Sequence, residues 1–203
     1  IWHGEGDTAA TYNNVVVEPR IEKVSSSTDG IKNQSNFFAK YLPFNSTYGS
    51  NLPTPTYTGR TFNGWYTAKT GGTKVTSATA TPSKDTAIYA HWTVDNFTLR
   101  YNAGKPAGAP TDVTNMPGNQ TLTYDTASKI STTAPRLTGY TFAGWKATTA
   151  GTLANNGTVW TAGADITKAN VNQMYADCGG KGKIYDVTAQ WNINQYSVTA
   201  QAY

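Results

Sequence analysis

Few residues in this 203-residue chain are of types that do chemistry. A catalytic site needs ionisable groups that converge. The chain has two histidines, His3 and His91, and one cysteine, Cys178. His91 falls on the outward side of the alternating segment Ile88-Tyr89-Ala90-His91-Trp92. Gln190 holds the same place in the related segment Val187-Thr188-Ala189-Gln190-Trp191, so no imidazole is required there. Cys178 has no second cysteine and no neighbouring histidine, which a zinc site would need. It also has no intrachain disulfide partner; a partly buried free thiol is expected, with a reactive or intermolecular one as the alternative. Asp165, Asp177 and Asp186 lie in one region, but no Asp-x-Asp-x-Asp-Gly loop wraps a calcium site. Gly179-Gly180-Lys181-Gly182-Lys183 has the composition of a phosphate loop but not its Gly-x-x-x-x-Gly-Lys-Ser/Thr order. Ile184 stands where a hydroxyl is needed. A lysine–asparagine isopeptide crosslink, assisted by an acid such as Glu18, is chemically open, yet no pair is singled out. No catalytic, cofactor-binding or metal-ligating residue is therefore assigned, and the chain is not expected to be an enzyme.

Composition points to strands. Charged residues make up only 14% of the chain. Ordinary soluble domains carry roughly 25%. Polarity comes instead from Thr, Asn, Ser, Gln and Gly. Thirteen Tyr and six Trp, with many Thr and Val, suit a pleated half-buried surface. Nineteen Gly and nine Pro supply turns. The net charge of +4 comes from 16 basic residues that are scattered. They form no run or arm, so nucleic acid is not an expected partner. No segment nears the roughly 20 apolar residues of a membrane span, and no direct membrane insertion is expected. The chain opens Ile1-Trp2-His3-Gly4, without Met or a signal peptide. The chain is expected to be a processed or excised piece, with any export signal or wall anchor outside it.

The dominant pattern is an internal repeat. Gly59-Arg60-Thr61-Phe62-Asn63-Gly64-Trp65 and Gly139-Tyr140-Thr141-Phe142-Ala143-Gly144-Trp145 share Gly-x-Thr-Phe-x-Gly-Trp, the second starting eighty positions after the first. A proline-bearing lead precedes each. A second tryptophan segment follows each, ending at Trp92 and Trp191. Five residues later an aromatic opens a new segment, Phe97-Thr98-Leu99-Arg100-Tyr101 or Tyr196-Ser197-Val198-Thr199-Ala200. Twenty-seven positions separate Trp65 from Trp92, and forty-six separate Trp145 from Trp191. The second copy therefore carries nineteen more, placed within about 148–186 and expected to project as a surface loop.

The boundaries follow. Residues 1–94 form a first β-rich repeat domain, 95–193 a second with the insertion, and 194–203 the start of a third repeat or a tail. Alternation and turn signals predict strands near 14–24, 38–44, 60–67, 86–93, 96–102, 120–124, 140–146, 184–191 and 195–202. Helical spacing is weak, with candidates at Ile31–Lys40 and Asp165–Tyr175.

The heptapeptide is expected to be structural. Gly59 and Gly139 would turn the lead into a strand at positive φ. Phe62 and Phe142 open that strand. Gly64 and Gly144 would mark a bulge or close approach admitting the indole. Trp65, Trp92, Trp145 and Trp191 would anchor the core, at roughly 150–250 Å² of burial each. Trp160 lies in the insertion and is read as having no counterpart in the first copy. With Met174 and Tyr175 it is the candidate ligand contact of the insertion.

Lead, Gly-Tyr-Thr-Phe-x-Gly-Trp, variable stretch, Ala-x-Trp and new strand together resemble the Listeria–Bacteroides repeat, seen also as the B repeat of internalin-type surface proteins. The resemblance covers roughly 45–101 and 120–200. It implies all-β to α+β, tandem β-grasp-like units in a bacterial protein that is secreted or attached to the cell wall. The function so implied is a non-catalytic stalk or spacer, with adhesion also open, neighbouring repeats as partners and no cofactor. The alternatives are a module that binds a host or cell-surface protein or glycan through the insertion, and an accessory domain of a larger secreted enzyme.

Overall fold

A computed structural model describes residues 18–21, 36–39, 42–43, 45–84 and 86–201, the first two segments by backbone alone. The chain divides into two units, Ile1–Thr93 and Val94–Tyr203. Strand dominates, with a few short helices.

In the first unit β1 (Glu18–Ile21) pairs antiparallel with β2 (Asn36–Ala39). The helix anticipated over Ile31–Lys40 is therefore strand at 36–39, and its other residues lie outside those described. A short aromatic run such as Asn36-Phe37-Phe38-Ala39 suits either state, and a pairing partner decides. A 3₁₀ turn at Gly49–Asn51 leads to β3 (Arg60–Tyr66), β4 (Lys74–Val75) and β5 (Tyr89–Val94), which form a sheet of order β4-β3-β5.

The second unit is described throughout to residue 201. Its strands are β6 (Asn96–Asn102), β7 (Gln120–Thr123), β8 (Ser128–Lys129), β9 (Tyr140–Ala147), β10 (Val159–Trp160), β11 (Asp165–Ile166) and β12 (Ile184–Ile193). Its helices are α1 (Thr152–Asn155) and α2 (Lys168–Asp177). The main sheet has the order β10-β9-β12-β6-β7, and β8 pairs with β11 in a small second ladder. β6 and β12 run parallel at the centre, while β7, β9 and β10 are antiparallel to their neighbours. Val171 and Met174 of α2 are wholly buried in the core, with Phe97, Leu99, Leu122, Trp145, Tyr185 and Val187. α2 begins two residues after β11 because the Thr167 hydroxyl accepts from the Asn170 amide, capping the first turn.

The shared heptapeptide has one geometry in both units. Arg60 N donates to Tyr57 O at 3.0 Å, and Tyr140 N to Leu137 O at 3.1 Å. The turn between them places Gly59 at φ 72° and Gly139 at φ 79°. Both values lie in the left-handed region, where a Cβ is penalised. Gly64 (φ 127°) and Gly144 (φ 135°) follow four residues into the strand. At Gly144 the β9–β12 register slips: Gln190 faces Gly144 but Trp191 faces Phe142, leaving Ala143 as the extra residue of a bulge. A Cβ on Gly144 would lie 2.7 Å from Val159 Cγ1 and 3.0 Å from Trp160 O. The bulge glycine thus admits the neighbouring strand β10 rather than an indole.

Two further expectations change. The segment 194–201 is not in a strand, and Tyr196 and Val198 are 77% and 94% exposed. Its alternation is strand-like, but among the described residues no strand pairs with it. The insertion does not project as a loop either. Leu153, Trp160, Ile166, Val171 and Met174 are all 6% exposed or less, because these apolar side chains close over one face of the sheet.

Candidate functional site

The feature the two units share is an aromatic cluster. In the first unit Phe62 lies edge-on to Trp65 at 5.7 Å between ring centroids and tilted against Trp92 at 5.3 Å. In the second, Phe142 lies edge-on to Trp145 at 5.1 Å and to Trp191 at 5.8 Å. Edge-to-face contact suits the aromatic quadrupole. Trp145 is wholly buried, while Trp65, Trp92 and Trp191 are partly buried. Trp65 Nε1 donates to Pro53 O and Trp191 Nε1 to Ala103 O, so two of these indoles also staple a loop to the sheet.

Trp160 is not a surface aromatic, and it does have a counterpart. It pairs with Trp145 across β9–β10, as Val75 pairs with Trp65 across β3–β4. At 6% exposure it offers no platform to a partner, and Met174, at 0%, offers none either. The structure brings Trp160 and Met174 into one core cluster. Tyr175 is partly buried beside it, edge-on to Tyr124 at 4.9 Å and to Phe97 at 5.8 Å. Its hydroxyl donates to Asp95 Oδ2 at 2.7 Å. Burial, reinforced by the Asp95 carboxylate, pushes the Tyr175 phenol up to about 12.

Sequence reasoning gave no structural part to the polar residues that organise this unit, weighing Asp177 and Asp186 only as calcium ligands and passing over Asp95. Asp95 is 5% exposed and stands 80 positions from Tyr175. Asp177 Oδ1 and Oδ2 accept from the backbone amides of Thr152 and Leu153 at 3.1 and 3.2 Å, capping α1 from the end of α2. Asp186 receives Arg100 Nε at 2.7 Å, Arg100 Nη2 at 2.9 Å and Asn102 Nδ2 at 2.7 Å. These donors, Arg100 foremost, hold the Asp186 carboxyl below the usual carboxylate range, since hydrogen bonds to the charged form favour it. No signal within the sequence joins residues this distant, because each contact exists only once the strands pair.

The sites for chemistry remain apart. His91 stacks on Tyr66 at 3.9 Å, and its Nε2 lies 2.9 Å from the Ala68 carbonyl. A carbonyl only accepts, so the proton must sit on Nε2. Cys178 is partly buried; its thiol points to the Tyr175 carbonyl at 3.5 Å, and burial pushes its pKa up. A low thiol pKa is what makes a cysteine reactive, so this one is poorly placed for nucleophilic work. Among the described residues no three His, Cys, Asp or Glu come together as metal ligands, and no helix is long and apolar enough to cross a membrane. An open groove lined by Thr111, Asp112, Thr114, Arg136, Leu137 and Thr138 carries one acid, and Lys105 pairs with it at 2.9 Å.

A duplicated β-rich unit whose repeated residues form the same turn and the same aromatic cluster defines this chain as a repeat protein. The Listeria–Bacteroides repeat domain matches it twice, at residues 23–91 and 97–177. The chain belongs to that family. It is also 33% identical over 145 residues to internalin H of Listeria monocytogenes, across 68% of this chain. It spans only 23% of that relative's length. No solved structure matches.

Proposed function

We propose that this chain is a non-catalytic extracellular repeat module of a bacterial surface protein. Its tandem β-grasp-like units space a neighbouring domain away from the cell. The observation that carries the reading is that the glycines and aromatics of the shared heptapeptide, with the second tryptophan, are architectural: the Gly59/Gly139 turn, the positive-φ Gly64/Gly144 and the Phe–Trp–Trp cluster. A repeated ligand site would instead repeat exposed polar or aromatic groups. The matching place of His91 is Gln190, and that of Tyr66 is Lys146. Family membership and the internalin relative support the surface assignment. Four strands of the main sheet lie in the order β7-β6-β12-β9, with β6 and β12, the first and last of them in the chain, parallel at the centre, which supports the β-grasp comparison. The helix enters between β9 and β12, which is the departure of the second unit from that pattern.

Domain replacement in the full surface protein tests the reading. Residues 94–203 are exchanged for an unrelated inert domain of similar length, and cell attachment and antibody access to the flanking domain are measured. Both should persist. Loss of attachment with the replacement domain folded and displayed would favour a binding module that contacts a host or cell-surface protein or glycan.

A further inference from the structure

We propose that the β6–β12 pair is a mechanical clamp, so that the second unit resists chain tension by shear. The inference rests on the spacer reading above, since a spacer under tension transmits force through its own chain. In this unit the chain enters at the start of β6 and leaves at the end of β12. The two strands lie side by side and parallel, in the register Ile184↔Thr98 to Thr188↔Asn102. Their loaded ends are therefore at opposite ends of the pair. Tension pulls one strand along the other, and all the bonds between them bear load together. If the loaded ends were adjacent, the same bonds would open one at a time.

The ladder is built for this load. Gly182 N donates to Asn96 O at 2.8 Å and Thr98 N to Lys183 O at 2.9 Å, extending the pairing to the first residue of β6. β7 and β9 flank the pair, so neither strand is an edge. On the core side Leu99, Tyr101, Tyr185 and Val187 are 0–6% exposed. Water therefore has little access from that face to replace a stretched bond, and hydrogen bonds are stronger in the low-dielectric interior. On the other face the bidentate Arg100–Asp186 pair crosses the same two strands, and Asn102 Nδ2 joins it. Beyond β6, the Trp191 indole of β12 holds the Ala103 carbonyl at 2.9 Å. Slip of one strand past the other must break all of these contacts together.

Forced unfolding reads the barrier directly. The full chain in a Cys178→Ser background is pulled from its two termini, and separately from its N-terminus and a handle at Lys183→Cys. The second geometry loads the start of β12 beside the start of β6 and so peels the ladder. The length gained on opening shows which unit has unfolded. The second unit should open at several-fold higher force from the termini than in the peeling geometry. Equal forces overturn the clamp. If the Lys183 handle prevents folding, Asp186→Asn and Met174→Ala are both pulled from the termini. Asp186→Asn should lower the opening force more, relative to its loss of equilibrium stability, and the reverse order overturns the clamp. Domain replacement does not depend on how the unit opens, so a failed clamp and a failed spacer reading are told apart.

Discussion

Trp160 stands directly across β9–β10 from Trp145, in the place Val75 takes opposite Trp65. The second unit has thus filled a position common to both repeats with a larger side chain. Of its nineteen extra residues, five precede that position and fourteen follow it. The fourteen include α2, which brings Val171 and Met174 onto the core.

Trp160→Ala should therefore act on stability. Removal of a buried indole costs about 3–5 kcal/mol, and Met174→Ala about 2–5 kcal/mol. Urea denaturation followed by near-UV circular dichroism measures both. A Trp160→Ala protein of unchanged stability would return this residue to the list of surface contacts.

Gly144→Ala should destabilise the second unit by about 1–3 kcal/mol, the cost of holding a residue with a Cβ in a sparsely populated backbone conformation. Gly144 sits at φ 135°, and an added Cβ would meet the β10 backbone. Gly118→Ala is the control. A Cβ there meets nothing within 4 Å. The change should stay within about 0.5 kcal/mol, as surface substitutions do. The same denaturation midpoints decide.

Acid should weaken the Arg100–Asp186 crosslink, in a direction set by linkage. The Asp186 carboxyl is held low in the folded chain, below its unfolded value of about 3.9. The unfolded chain therefore binds the proton first. The stabilisation is complete above that unfolded value. It is lost as pH falls through the lower folded value. Asp186→Asn should flatten this acid limb of a melting-temperature-against-pH curve, and an unchanged limb would mean that the pair contributes nothing to it.

Alkali should act through Tyr175 in the opposite sense. Its phenol is raised to about 12, above the unfolded value of about 10. Its contribution is intact below that unfolded value and disappears as pH rises toward the folded one. Tyr175→Phe should remove that part of the alkaline slope. It should also cost about 1–3 kcal/mol at neutral pH, through the buried Asp95 carboxylate left without this donor. Thermal melts of the two proteins between neutral and strongly alkaline pH provide the comparison.

The sequence alone determined the features whose physics is local or repeated. Positive φ at Gly59 and Gly139, the bulge at Gly144 and the strand content around Phe62, Phe142 and Trp145 follow from residue type and alternation. The repeat itself identifies the family. Tertiary structure decided the rest, because side-chain burial depends on what closes over a residue. Trp160 reads as an unmatched aromatic in a loop, yet strand pairing and α2 turn it into core. Residues 194–201 carry a strand's alternation but have no pairing strand among the described residues. Asp95 with Tyr175, and Arg100 with Asp186, meet across 80 and 86 positions. Only the parallel placement of β6 beside β12 gives the unit a direction in which it can bear load.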